Sequence, residues 1–212
     1  MNSNESEEKS KLILAKSLNF SPKKLEKVEL FVKEVLIYNK KYNLISKKSE
    51  KEIWNRHVLD SAQLTKLIDQ RKFNSLSDLG TGAGFPGIIL SIFYSDAPKF
   101  HVKLYEKSKV KIKFIKSIKS KYNLDNISIY ENDYQYHILN SDYIVCRAFK
   151  KLPEVLKISR EIARKPHQLI VMLGKSAQEE LNKVSKGIIY KYKLVPSITK
   201  SDSKILLVEA KK

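Results

Sequence analysis

Apolar side chains recur at helical spacing from Ser21 onward: Leu25, Val28, Phe31, Val32, Val35 and Tyr38 lie on one face. Ser21-Pro22 ahead of them reads as an N-cap followed by a proline at the first helical position. A second helical stretch carries Ile53, Trp54, His57, Val58, Ser61, Leu64 and Ile68. No strand pattern precedes them, so residues 11–72 are expected to form an N-terminal helical cap behind a frayed polar tail at 1–10.

From residue 73 the rhythm changes, and 73–212 read as one α/β domain. The pattern predicts strands over 76–79, 102–105, 127–130, 143–146, 168–173, 188–194 and 205–208, and helices over 86–94, 107–122, 152–164 and 176–186. Such alternation gives a mostly parallel sheet covered on both faces. Only a short link, 196–203, joins the last two strands, so a hairpin with an antiparallel edge strand is expected there.

Charge narrows the partners. Forty-one Lys and Arg stand against 23 Asp and Glu in 212 residues, a net +18 that favours a polyanion. One cysteine, Cys146, excludes a disulfide framework and a thiolate zinc cluster. The four histidines and the acids make no metal-ligand spacing. Residues 1–10 (MNSNESEEKS) lack the features of a signal peptide, and no apolar run is long enough to span a bilayer. A cytoplasmic protein with no membrane partner is expected.

The sharpest motif is Asp78-Leu79-Gly80-Thr81-Gly82-Ala83-Gly84-Phe85-Pro86-Gly87, which follows a strand and opens a helix. It lacks the Lys-Ser or Lys-Thr of a nucleotide-triphosphate loop, and its glycine register fails the dinucleotide fingerprint at Phe85. G-x-G-x-G after an acid suits S-adenosylmethionine (SAM), with Gly80, Gly82 and Gly84 letting the backbone approach and Asp78 helping to hold the cationic end. Glu106 closes the next strand at the spacing of a ribose-binding acid. Asn132-Asp133-Tyr134-Gln135 would border the adenine. Arg147 closes the fourth strand, over the crevice where cofactor and substrate meet.

Arg56-His57-x-x-Asp60-Ser61 is no hydrolase triad, since its serine lacks a nucleophile elbow. His57 and Ser61 are expected to pack, and Arg56 to pair with Asp60 on the helix surface. Eight lysines crowd 103–121. Val110, Phe114, Ile115, Ile118 and Tyr122 read as the buried stripe of that helix, Lys109, Lys113 and Lys116 as its outward face, and Lys111 as a side chain that must snorkel or reach the site.

Together Tyr42-Asn43-Leu44-Ile45-Ser46, Arg56-His57-x-x-Asp60-Ser61, the glycine motif, Glu106-Lys107 with its basic helix, and Arg147-Ala148-Phe149 resemble the ribosomal RNA small-subunit methyltransferase G family. The resemblance covers the chain from about Tyr42 onward. It implies a Rossmann-like SAM-dependent methyltransferase with strand order 3-2-1-4-5-7-6, strand 7 antiparallel, acting as a monomer on 16S rRNA or a small-subunit precursor at N7 of guanine 527. Carried over by motif, cofactor contacts fall on Gly80, Phe85, Tyr134, Gln135 and Arg147. RNA contacts are expected at Arg56, His57, Lys109, Lys113, Lys116, Arg147 and Lys175. Gln135 stands where the family usually has Glu, Asp133 where it usually has Arg, and Gly174-Lys175 where it tends to have Lys-Gly.

Guanine N7 has a free lone pair and no proton to remove, so no general base is required and none is assigned. The alternatives are a SAM enzyme with another substrate and a catalytically silent RNA-binding module. The basic charge and the Arg-His segment weigh against the first, the intact glycine loop and Glu106 against the second.

Overall fold

A computed structural model describes residues 3–175, 177–184 and 191–210. The cap begins with α1 (Ser3–Leu18), so the expected frayed tail is, from Ser3, helix. Leu14 and Leu18 bury against the core, and Lys11 bridges Glu7 and Glu29, which ties this helix to the next. α2 (Pro22–Tyr42) starts as the sequence predicts: the Ser21 hydroxyl accepts from the Lys24 N–H, and Asn43 ends the helix in the left-handed region. Its buried face is Val28, Phe31, Val32 and Val35.

After α3 (Lys47–Glu50) the chain departs from the expected second helix. Residues Trp54–Leu59 wind as a π-helix, followed by α4 (Asp60–Ala62) and a 3-10 turn at Gln63–Lys66. The wider winding rotates the side chains away from ideal α spacing, a departure often found at functional sites.

The sheet is built from β1 (Ser75–Leu79), β2 (His101–Glu106), β3 (Ile127–Glu131), β4 (Tyr143–Arg147), β5 (His167–Leu173), β6 (Tyr192–Pro196) and β7 (Lys204–Ala210). Between them lie α5 (Gly87–Phe93), α6 (Lys109–Lys121), α7 (Leu152–Ile162) and α8 (Ala177–Asn182). The order is β3-β2-β1-β4-β5-β7-β6, as the resemblance implied. β7 runs antiparallel to both β5 and β6. The antiparallel strand is therefore an inserted one and not the edge, because β7 turns back into the place beside β5 and leaves β6 outside. Of the expected strand and helix, residues 188–190 and residues 176 and 185–186 lie outside the described residues.

Alternate residues of β4 divide between the two faces: Ile144 and Cys146 join Leu156 and Val171, whereas Tyr143 and Val145 join Ile88 and Leu104. The cap buries Leu14, Phe31, Val58 and Leu64 in the same cluster as Ile88 and Ile115, so cap and sheet share one core. Its consequence is positional: the turn at 54–66 is held at the carboxyl ends of β4 and β5.

Candidate cofactor and target site

The loop after β1 is organised by two buried carboxylates. Asp78 is fully buried and its Oδ2 accepts from the Gly87 N–H at 2.8 Å, which stitches the end of β1 to the start of α5. Asp78 thus faces the fold beneath the loop, not the cleft, and reaches a ligand only through the backbone it holds. Burial pushes its carboxyl up to about 6. Glu106, also buried, accepts at Oε2 from Gly82 N–H (2.9 Å) and at Oε1 from Lys107 and Ser108 N–H (2.9 and 2.8 Å). Three of the roughly four acceptor positions of this carboxylate are used, and the group still lines the cleft.

The glycines differ in what they permit. All three adopt positive φ. A Cβ at Gly84 would strike Ile88 Cδ1, so that glycine serves close packing. A Cβ at Gly82 would meet nothing nearer than 3.9 Å, so this backbone is open to a ligand. The neighbour at 4.0 Å is Lys111 Nζ: the lysine on the apolar arc of α6 does reach the site. Val110, expected in the buried stripe, is 44% exposed, and Ile112 takes the buried place.

On the other side of Gly80, a cleft of about 180 Å³ is bounded by Tyr105, Glu106, Lys107, Asn132, Asp133, Tyr134 and Phe149. That is below the ~300–1,000 Å³ of most small-molecule sites. The Phe149 ring narrows it, lying 2.5 Å from the Cβ position of Gly80 and edge-on to Tyr134 at 5.3 Å. Asp133 Oδ1 is buried there with no hydrogen-bond partner, an acceptor suited to an exocyclic amine. Gln135 is exposed, its amide 3.5 Å from the Tyr134 hydroxyl. The cleft thus offers aromatic walls and one unpaired buried acceptor, and beside it the open Gly82 backbone stands next to the Lys111 ammonium.

Arg147 lines a second cleft, which shares Ala148 with the first. Its Nη1 donates to Arg56 O (3.0 Å), its Nη2 donates to His57 Nδ1 (2.7 Å), and Asp60 Oδ2 lies 3.5 Å from Nη1. A guanidinium only donates, so His57 Nδ1 is the acceptor and Nε2 carries the proton, buried without a partner. Burial, reinforced by Arg147 and Arg56, lowers His57 to about 3, so it is neutral at physiological pH. His57 packs as expected, against Phe85 at 5.0 Å. The expected Arg56–Asp60 pair does not form: the π-helix turns Asp60 toward Arg147, Gln63 and Thr199. Phe85 is buried between Phe31 and His57, with the Arg147 guanidinium 5.6 Å over its ring.

The second cleft, about 480 Å³, runs from Arg56, His57, Asp60 and Arg147 to Gly174 and the turn between β6 and β7. Spacing along the chain carried no signal for that turn's part in the site. An equally large cleft lined by Lys23, Lys24 and Lys99 sits at the amino ends of the strands, away from where ligands of open α/β sheets bind.

The basic helix is less free than its sequence suggests. Lys116 is paired with Glu131, Lys121 with Glu34, and Lys119 Nζ donates to Ile127 O. Among the described residues Lys109 and Lys113 are exposed and form no ion pair. Lys175 is exposed and bridges Asp202 at 3.3 Å. No cluster of three metal-binding side chains occurs among the described residues, and none of their helices is long and apolar enough to cross a membrane.

A sequence model of the family described as rRNA small subunit methyltransferase G matches residues 24–207. Proteins named ribosomal RNA small subunit methyltransferase G are similar to the chain: one from Pelagibacter ubique is 33% identical over 199 residues, covering 92% of this chain and 93% of that one. Another, from Rickettsia akari, is 34% identical over 184 residues, covering 87% and 93%. Among solved structures, a putative O-methyltransferase from Klebsiella pneumoniae shares the fold at a TM-score of 0.58 and 12% identity, covering 98% of this chain and 99% of that one. A mutant of MtNAS in complex with S-adenosylmethionine does so at 0.54 and 15%, covering 97% and 84%.

Proposed function

The chain belongs to the ribosomal RNA small subunit methyltransferase G family and is a SAM-dependent rRNA methyltransferase; from that premise we propose that it methylates N7 of guanine 527 of 16S rRNA. The observation that carries this choice of atom is the state of the titratable groups at the target cleft. His57 is neutral, with Nδ1 taken by Arg147 and Nε2 buried. Asp60 is occupied by Thr199, Gln63 and Arg147. None stands free as a general base, and a ring nitrogen with an exposed lone pair needs none.

SAM supplies a methyl group on a sulfonium, and the protein's task is alignment and exclusion of water. In this reading Asp133 Oδ1 accepts from the adenine amine, Glu106 faces the ribose, Gly82 lies along the methionine portion and Lys111 neutralises its carboxylate. Tyr134 and Phe149 wall the adenosine. Arg147 stands between cofactor and guanine. Arg56, Lys109, Lys113 and Lys175 meet RNA phosphates, and the enzyme works as a monomer in the cytoplasm.

Small-subunit RNA with 7-deazaguanine at the target tests the atom. It should bind within about twofold of normal, since only the nucleophile is replaced, and accept no methyl group. Single-turnover rates on normal RNA should stay flat between about pH 6.5 and 8.5. Methylation of the deaza substrate, or a steep profile assignable to one side chain, would sink the assignment.

A further inference from the structure

The turn at 197–203 is fastened to the residues just after the π-helix by side chains more than 130 residues away in sequence. Thr199 Oγ1 donates to Asp60 Oδ1 at 2.9 Å. The Ile198 N–H donates to Gln63 Oε1 at 2.9 Å, and Gln63 Nε2 donates to both Asp60 Oδ1 (2.8 Å) and Ser197 Oγ (3.2 Å). The other oxygen of Asp60 faces Arg147 at 3.5 Å. One carboxylate therefore joins the turn to the arginine of the second cleft.

Structural fastening accounts for these bonds but not for what the turn presents. Lys200 and Lys204 both line the 480 Å³ cleft beside Arg147, and neither forms an ion pair among the described residues. Two lysines and one arginine around a cleft of nucleotide size suit a sugar-phosphate group. A stacked base reaches a cofactor recessed in a protein cleft by turning out of its stack, and that costs unstacking energy. Holding its backbone offsets the cost.

We propose that Asp60 is a positioning residue that locks the 197–203 turn to Arg147, and that Lys200 of the turn and Lys204 at the start of β7 grip the phosphate of the extruded target nucleotide. The inference rests on the reading of the site as an RNA methyltransferase and adds the element that holds the target.

Three quantities separate the possibilities: RNA affinity and its salt dependence, SAM affinity by calorimetry, and thermal stability. Thr199→Val removes the hydroxyl that Asp60 receives with little change of shape. It should weaken binding of the RNA at least fivefold while SAM affinity stays within twofold, and Thr199→Ser should restore RNA binding. Lys200→Gln with Lys204→Gln should weaken RNA binding as much and lower the log–log salt slope by about 1.4, two contacts at ~0.7 each on single-stranded RNA. Unchanged RNA affinity in these variants would overturn the proposal. So would a Thr199→Val protein that melts earlier yet binds RNA normally, since Asp60 would then only brace the fold. RNA binding is read without methyl transfer. Failure of the wild-type protein to methylate guanine N7 would therefore count against the functional reading and leave this one to its own measurements.

Discussion

The glycine loop at 78–87 and the segment 54–66 both meet Arg147 and are built from different bonds. The loop is backbone held by carboxylates: Asp78 takes the Gly87 N–H, and Glu106 takes those of Gly82, Lys107 and Ser108. The 54–66 segment is side chains held by side chains, with Asp60, Gln63 and His57 meeting Thr199, Ser197 and Arg147. A backbone cradle accepts any ligand of the right shape and charge, and a side chain added to its open glycine would take the ligand's place. A side-chain network discriminates, and it fails by degrees.

The largest expected effect breaks the cradle. Gly82→Val places a branched side chain at φ +62 in the open part of the loop and should lower SAM affinity more than a thousandfold, about 4 kcal/mol, with the fold retained by circular dichroism. Gly84→Ala should do the reverse, lowering stability through its clash with Ile88 more than it lowers affinity. A Gly82 variant that binds SAM normally would move the cofactor elsewhere.

Next, the two regions should respond to pH with opposite sign. Asp78 has a folded-state value near 6 against an ordinary 3.8, so the folded protein holds the extra proton between about pH 4 and 6 and loses stability as pH rises through that window. Two units correspond to up to ~3 kcal/mol. Asp78→Asn should therefore gain stability over the wild type as pH rises from 4 to 7. His57 has a folded-state value near 3 against 6.5, so the unfolded chain binds the proton, and its contribution is full above pH 6.5 and falls as pH drops toward 3. His57→Gln should compare best with the wild type at the acid end. Denaturant melts at pH 4.5 and 7.5 give both differences, and equal signs would refute the contrast.

Arg147 belongs to both regions. Arg147→Ala should lower methyl transfer more than tenfold, about 1.4 kcal/mol or more of transition-state stabilisation. Lys should rescue poorly, since one ammonium cannot reach Arg56 O and His57 Nδ1 with the geometry of the planar fork. Full activity of the Ala variant would make the arginine incidental to the reaction. The smallest effect lies outside the comparison, on α6. Lys109→Gln and Lys113→Gln should each lower the RNA salt slope by about 0.7, and Lys116→Gln by less because Glu131 already holds that lysine.

The cradle was legible because its parts are local. Ten consecutive residues, 78–87, and one acid at the next strand end carry it; the missing Lys-Ser or Lys-Thr sets it apart from a phosphate loop, and the glycine register from a dinucleotide fingerprint. Ambiguity over the adenine reader remained because Asp133 and Gln135 are both polar in one loop. Burial distinguishes them, leaving Asp133 Oδ1 without a partner and Gln135 in solvent. On α6 the helical period was right, but Val110 and Ile112 were exchanged, since a stripe read from spacing cannot tell which edge the sheet will cover.

The alternation of strands and helices, the family and the cofactor follow from the sequence itself, because periodicity and a contiguous motif are properties of neighbours along the chain. The tertiary structure alone decided that 54–59 winds as a π-helix, that Asp60 turns from Arg56 to Arg147, and that a turn near the C-terminus closes the target cleft. These are contacts across 87 to 139 residues. Which polar groups meet at such distance is set by how β7 inserts beside β5 and how the cap shares the core, and no local pattern of residues encodes either.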